Sequence, residues 1–385
     1  MDADDFEQVR QTVRDFVRKR VVPLEDRIED EDSIPEELRR FCMDMALFGM
    51  SIPQRYGGIG LSMHEESRLV MELGYTTPSF RSMFGTNNGI AGHVILEGGT
   101  ESQRDEWLPL IASGEMVASF ALTEPGAGSD PSGLVTTAVP YDGQWVINGT
   151  KRYITNAPLA DALMVFARTD PEAPGSKGIS VFMVPSDAPG VTIGAPDRKM
   201  GQRGATTADV YLDEVRVPTA TLVGGEGGLN RGWSTAMRCL AHGRLHIAAL
   251  CVGMAERLVD ESVEYARTRE QSGKPIGAFQ LIQGMIADSV TDYMAGRGLV
   301  LDASASYDSG EDRRVAPSAA KYFCSEMVGR VADRAVQVHG GSGYMHGVAV
   351  ERFYRDARLF RIYEGTSQIQ QTIIARNTIG PAADA

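Results

Sequence analysis

Apolar residues recur with two different periods along this chain. From Phe6 to Val17 they fall at Phe6, Val9, Val13, Phe16 and Val17, the spacing of one buried helical face. The pattern predicts a second helix from near Ser33 to about Leu47, with Ser33 as its cap, Pro35 as an early helical residue and Gly49 at its stop. Helical spacing continues over 63–75, 82–97 and 101–113. From Met116 the pattern turns strand-like. Thr136–Tyr141 and Gln144–Ile147 flank Asp142-Gly143, and Lys151–Thr155 follows Asn148-Gly149. Both dipeptides suit turns that need positive φ, so each predicts a hairpin. Leu163–Ala167, Ile179–Val184 and Val210–Leu212 are further predicted strands. After Leu229 the helical period returns, over 229–269, 278–307, 315–340 and 366–377.

This order predicts an α+β multidomain chain. An N-terminal helical domain would cover 1–115, a central β-sheet or barrel domain 116–228, and a C-terminal four-helix bundle 229–385. Neither an internal repeat nor the βαβ alternation of a doubly wound fold is present. The length of 385 residues suits two or three domains.

Lys and Arg total 38 against 51 Asp and Glu, a net charge of −13, which argues against nucleic acid as a partner. No apolar run reaches the ~18 residues of a membrane span; the longest, around Ile247–Ala255, is broken by Gly253. The acidic start, Met1–Asp5, has the character of neither a secretory signal nor a transit peptide. Cys42, Cys239, Cys251 and Cys324 form no C-x-x-C pair, which predicts reduced, buried thiols and a cytoplasmic location. The six histidines show no metal-ligand spacing, so no metal is expected.

Five segments could carry chemistry. The loop Leu122–Asp130, rich in Gly and hydroxyls, could lay backbone N–H groups and Ser129 against a pyrophosphate; it fits neither the P-loop nor G-x-G-x-x-G. Tyr153-Ile-Thr-Asn156 could stack on and hydrogen-bond a planar ring. Arg267–Lys274, at a helix end, could reach a phosphate or pair with the helix dipole. Gln337–Gly343 has three glycines where a helix stops. In Tyr363-Glu-Gly-Thr366, Thr366 would cap the last helix, with Ile369, Ile373 and Ile374 on its packed face and Glu364 outside it on a loop. Each has a plain structural reading: a surface turn, a strand, a cap or a solvated carboxylate.

Phe120-Ala-Leu-Thr-Glu-Pro-Gly-Ala-Gly-Ser-Asp130, Asn148-Gly-Thr-Lys-Arg-Tyr-Ile-Thr-Asn156, Lys199-Met-Gly-Gln-Arg203, Gly273-Lys-Pro-Ile276 with Phe279-Gln280, and Arg355-Asp-Ala-Arg358 leading to Tyr363-Glu-Gly-Thr-Ser-Gln-Ile-Gln370, in this order, together resemble the acyl-CoA dehydrogenase family. The resemblance runs over nearly the whole chain. It implies FAD, an acyl-CoA substrate, α,β-dehydrogenation to the trans-2-enoyl-CoA, an electron-transfer flavoprotein as acceptor and a homotetramer built as a dimer of dimers. Glu364 matches the family's catalytic base. Some relatives carry the base just before the arginine matching Arg244; here Gly243 stands there, and Arg244 is implied to order the charges around Glu364. For the flavin the resemblance implies contacts from Phe120, Leu122, Thr123, Gly128, Ser129, Tyr153, Ile154, Thr155, Thr366 and Gln368. Arg269, Phe279, Gln280, Gln337, Gly340 and Gly341 are implied at its adenosine end, largely for a neighbouring subunit. Ser129, Arg244, Gly365 and Arg376 are implied substrate contacts.

Three features set this chain apart. Ser272 replaces the usual Phe before Gly273. Ala241-His242-Gly243 replaces an Asp-containing run that helps hold CoA. Arg81, in Ser79-Phe-Arg-Ser-Met83, resembles the arginine with which glutaryl-CoA dehydrogenase binds a distal carboxylate, and Asn87 and Asn88 nearby would suit a polar pocket. A dicarboxylyl-CoA substrate is therefore the alternative to a plain acyl-CoA. An acyl-CoA oxidase is a further alternative, against which the length argues. The net charge argues against a DNA-binding flavoprotein of this fold, and an intact Glu364 against a non-catalytic subunit.

Overall fold

The first structural block is helical: α1 (Ala3–Phe16), α2 (Glu25–Glu31), α3 (Glu36–Asp44), α4 (Met63–Leu73), α5 (Pro78–Gly85), α6 (Ala91–Gly98) and α7 (Glu101–Ser113). The computed structural model describes residues 2–380, so Met1 and positions 381–385 of the third predicted domain lie outside the described residues. Two starts follow directly from sequence. Ser62 with Glu65 and Thr100 with Gln103 each form a reciprocal capping box, which satisfies two orphan donors at once. The α3 expectation needs correction: Pro35 itself is the N-cap, with ψ 136, the helix ends at Asp44, and Ser33 lies outside it. A cap at Ser33 would have put Pro35 two residues into the first turn, where its missing N–H removes a donor the cap should bind. The single helix expected over 82–97 is also interrupted. A π-turn, Thr86–Ile90, separates α5 from α6, in a stretch of Gly and Asn that are poor helix formers. Asn87 and Asn88 do not make a polar pocket. Asn87 donates to the carbonyls of Ile111 and Met116 at 3.0 and 2.8 Å, and Asn88 accepts from the Met50 N–H at 2.7 Å.

The middle block holds β1 (Ala118–Ala121), β2 (Thr137–Tyr141), β3 (Gln144–Thr155), β4 (Ala162–Arg168), β5 (Ile179–Pro185), β6 (Val191–Ile193) and β7 (Thr207–Pro218). They form one seven-stranded sheet in the order β1-β4-β2-β3-β7-β6, with β5 also on β4. Asp142 (φ 48) and Gly143 (φ 72) make the β2–β3 turn as expected. Asn148-Gly149 makes no turn: β3 runs straight through it, and the ladder to β7 shifts register between Ile147 and Gly149. A bulge draws on the same backbone tolerance as a tight turn, so the dipeptide alone could not separate them. Gly149 is required there, because a Cβ would collide with Thr136.

The last block contains α8 (Gly232–Thr268), β8 (Glu270–Gln271), β9 (Lys274–Pro275), α9 (Gln280–Ser309), α10 (Val315–His339), α11 (Ala349–Ala357) and α12 (Ser367–Ile379). α8, α9, α10 and α12 form the expected bundle around α10. The chain from Arg269 is not a plain helix end. It forms a two-stranded hairpin that turns through Ser272 (φ 52) and Gly273 (φ 77), the paired positive φ of a type I′ turn. The largest core joins N-terminal helices to α8 and α10, and the next joins α6 and α7 to the inner face of the sheet. All four cysteines are free and buried. Among the described residues no helix is long and apolar enough to cross a membrane.

Candidate active site

A cavity of about 390 Å³ opens where α5, the loop after β1, β3, α8 and the segment 363–376 converge. It gathers thirteen residues singled out from sequence: Arg81, Phe120, Leu122, Thr123, Gly128, Ser129, Tyr153, Ile154, Thr155, Arg244, Glu364, Gly365 and Arg376. Thr366 accepts from the Ile369 N–H as the α12 cap. Gln368 beside it is exposed and outside the lining. Ile369 and Ile373 face the cavity rather than a closed core; Ser367 and Gln370 are the buried residues of α12. Arg269, Phe279, Gln280, Gln337, Gly340 and Gly341 do not reach the cavity. They gather at the far end of α8, around the small cluster of Ala266, Ile276 and Val338. The 25 positions from Arg244 to Arg269 along α8 correspond to roughly 37 Å at helical rise.

One wall of the cavity owes its shape to a second bulge in β3. The ladder slips between Lys151 and Ile154, and Tyr153 sits at φ 57 with 59% of its surface exposed. The slip throws the ring out of the sheet and over the opening. Behind it, fully buried Lys151 donates to Glu124 Oε1 at 2.7 Å, and Glu124 also accepts from the N–H groups of Val135 and Thr136. This buried pair fixes the loop that carries Thr123, Gly128 and Ser129. Burial depresses the Lys151 ammonium to about 8, opposed by Glu124. No atom stands within 4 Å of where a Cβ on Gly128 would lie, so the loop backbone is open to close approach. Aromatic faces from Phe120 and Tyr153, hydroxyls from Thr123, Ser129 and Thr155, and this open backbone suit a flavin ring followed by a pyrophosphate.

Glu364 stands on the opposite side, in the left-handed region at φ 52, followed by Gly365 at φ 91. Its Oε2 is buried with no hydrogen-bond partner. A Cβ at Gly243 would collide with that oxygen, so Gly243 is the space the carboxylate occupies. Burial raises the basicity of Glu364, while Arg81, Lys321, Arg244 and His242 pull the other way. None of these cations makes an ion pair with it within 4.0 Å among the described residues. Lys321 donates instead to the Gly365 carbonyl at 2.7 Å, Arg244 to Ser318 Oγ at 3.4 Å, and Arg81 to His246 Nδ1.

The reading of the histidines needs correction. His242 and His246 lie four apart on one face of α8, and with Glu66 their donor atoms come within 4.8 Å of one another. Glu66 Oε2 is 2.7 Å from His242 Nε2 and Oε1 is 2.6 Å from His246 Nε2. Ligands sharing one ion at ~2.0–2.1 Å in tetrahedral array would stand wider apart than this, so the geometry is that of a buried carboxylate packed between two imidazoles and hydrogen-bonded to His242. Desolvation opposes ionisation of Glu66, but His246 and His242 outweigh it and hold the carboxyl well below its usual range. Desolvation also opposes the charge on His242, and Glu66 overcomes it, raising its basicity.

Sequence reasoning missed Trp233, Met237 and Leu240, which line the cavity from α8 at helical spacing ahead of Arg244, and also Lys321. The spacing of the first three was a usable signal. Nothing local marked Lys321.

The comparisons agree with this architecture. Family models for the acyl-CoA dehydrogenase N-terminal, middle and C-terminal domains match residues 3–115, 119–215 and 230–379. An acyl-CoA dehydrogenase of Bacillus subtilis is 40% identical over 379 residues, covering 97% of each chain. The caffeyl-CoA reductase-Etf complex subunit CarC of Acetobacterium woodii is 38% identical, covering 97% of this chain and 98% of that one. The solved structure of a glutaryl-CoA dehydrogenase from Mycobacterium smegmatis in complex with FADH2 superposes with TM-score 0.91 at 30% identity, covering 99% of this chain and 96% of that one.

Proposed function

Since the chain belongs to the acyl-CoA dehydrogenase family, FAD-dependent oxidoreductases acting on the CH–CH bond of acyl-CoA, we propose that it converts an acyl-CoA to its trans-2-enoyl-CoA with Glu364 as the α-proton base. The observation that carries this is the Glu364 carboxylate, with its unpartnered Oε2 buried and its basicity raised by desolvation, on the wall of a cavity suited to a flavin. A carboxylate kept from water and from ion pairs is a competent base for a weakly acidic carbon. FAD, when bound, supplies the acceptor for the hydrogen and electron pair leaving the β-carbon. Phe120, Leu122, Tyr153, Ile154 and Thr155 would hold its ring, with Thr123, Thr366 and Gln368 at its polar edge and Gly128 and Ser129 at the pyrophosphate. Ser129, Arg244, Gly365 and Arg376 would contact the thioester substrate, and Arg244 orders the charge around Glu364. In the reductive direction the same carboxyl returns the proton.

Arg269, Phe279, Gln280, Gln337, Gly340 and Gly341 would serve the adenosine end of the FAD bound to a neighbouring copy, which calls for a dimer of dimers. An electron-transfer flavoprotein is the electron partner, supported by the relative that is a subunit of an Etf complex. Four buried free thiols suit a cytoplasmic setting for this β-oxidation type of step. A second reading, a dicarboxylyl-CoA substrate, is favoured by one observation: Arg81 lines the cavity at 5% exposure with no carboxylate partner among the described residues. A buried guanidinium left with spare donors suits a planar carboxylate on the acyl chain.

The test is anaerobic titration of the FAD-loaded protein with acyl-CoAs from C4 to C16, branched forms, and glutaryl- and adipyl-CoA, following bleaching of the oxidised flavin band. Glu364→Gln should bind FAD and slow bleaching by about 10²–10⁴-fold; bleaching at the wild-type rate would overturn the role of Glu364. Preference for glutaryl- or adipyl-CoA that is lost in Arg81→Ala would select the second reading.

A further inference from the structure

Of the four cationic groups around Glu364, the two arginines and Lys321 are each bound to something else. For Lys321 and Arg244 the alternative partner is an ordinary carbonyl or hydroxyl. For Arg81 it is a dedicated buried chain. Its guanidinium donates to His246 Nδ1 and lies across Gly85 and Gly89, where added Cβ atoms would stand 2.6 Å from Nη1 and 3.1 Å from Nη2. His246 Nε2 faces Glu66, Glu66 binds His242, and His242 Nδ1 donates to the Gly89 carbonyl at 3.2 Å. All four residues are at most 5% exposed.

We propose that His246 is a positioning residue that holds Arg81 on the Gly85–Gly89 shelf and so keeps it from forming an ion pair with Glu364. This rests on the reading of Glu364 as the base. An arginine free to swing onto that carboxylate would occupy the oxygen that must take the proton and weaken it as a base. Only a neutral imidazole can accept from Arg81. Burial holds His246 down to about 4, with Arg81 and His242 also opposing its charge against Glu66, so the tether stays engaged above that pH. Facing Glu364 from the other elements are Lys321 on α10 and Arg244 and His242 on α8. The hydrogen-bond partners of Lys321 and Arg244 do not include His246; His242 shares Glu66 with it and its ring lies 4.9 Å away, so the double variant that also removes Arg81 separates the arginine's part.

The experiment is the pH profile of kcat/KM for flavin reduction by butyryl-CoA, which offers Arg81 no carboxylate. In His246→Leu the acid limb should move down by about one to three pH units, as an opposite charge at close range produces, and the plateau rate should fall at least ~10-fold. His246→Gln, which can present a carbonyl acceptor to Arg81, should return the limb toward wild type, and Arg81→Met with His246→Leu should abolish the downward movement. Gly85→Ala, which pushes Arg81 off its shelf without touching His246, should reproduce the shift and keeps the test open if His246→Leu does not fold. An unmoved limb in His246→Leu or Gly85→Ala, or a shift that survives loss of Arg81, overturns the tether. An acid limb and activity that persist in Glu364→Gln would instead overturn the base assignment.

Discussion

At the scale of single residues, Gly243 and Glu364 show how one position makes room for another. Gly243 lies in the interior of α8, where glycine costs about 1 kcal/mol relative to alanine. Its value lies in what it lacks, since a Cβ would meet Glu364 Oε2 and stand 3.0 Å from Ile90 Cγ2. Gly243→Ala should therefore leave the helix sound and displace the carboxylate. A misplacement of that order costs roughly 10²-fold in rate, so flavin reduction should slow by about that factor while the flavin-to-protein absorbance ratio stays at wild type. Loss of flavin instead would mean that the glycine serves the fold. From sequence, Gly243 could be read only as the absence of an alternative base. Its complementarity to Glu364, 121 positions later, needed the fold. A longer separation hid the histidine cluster: the four-residue spacing of His242 and His246 was in plain view, but their partner Glu66 lies on another helix, 176 positions before His242.

At the scale of elements, local chemistry was legible where one signal decides the outcome. The Asp142-Gly143 turn and the Thr366 cap fall where the sequence predicts. It was illegible where two structures share one signal, as Asn148-Gly149 and the broken helix at Thr86–Ile90 show. The loop that carries Thr123, Gly128 and Ser129 depends on an ion pair that neither motif announces. Lys151→Met would strand the buried Glu124 carboxylate without its cation, and breaking one side of such a pair costs about 3–5 kcal/mol. Urea denaturation should register that loss, and Lys151→Met with Glu124→Gln should recover part of it. A second joint makes a pH signature. Asp356 on α11 accepts from the Gln202 N–H, and burial pushes its carboxyl up to about 7, with Glu29 adding to the rise. The folded state then holds a proton that the unfolded chain releases near pH 4, so this group costs stability as pH rises from about 4 to 7. Asp356→Asn keeps the acceptor and removes the titration. Its melting temperature relative to wild type should therefore rise between pH 5 and pH 8; an equal difference at both would show that Asp356 ionises normally.

At the scale of the whole molecule, the residues assigned to the two ends of the FAD cannot meet in one chain. Thr123, Gly128, Ser129, Tyr153 and Thr155 line the cavity, whereas Arg269, Gln280 and Gln337 sit at the far end of α8, beyond the reach of one dinucleotide bound at the ring site. The proposed symmetric pair of copies, each lending its far end to the other, would resolve this. The arrangement makes two kinds of damage complementary. Glu364→Gln spoils a copy's own base and leaves its far patch intact. Arg269→Glu spoils the patch it lends and leaves its own base intact. Each protein alone should be inactive, the first with FAD bound and the second with FAD weakly held. Co-expressed, with the two copies separately tagged and purified through both tags, the mixed assembly should regain activity, because the Arg269→Glu copy keeps its base and borrows an intact patch. With random pairing before selection, roughly a quarter of wild-type sites should work. If Arg269→Glu alone retains FAD and full activity, or if the mixed assembly stays inactive, each copy completes its own site and the far patch has some other use.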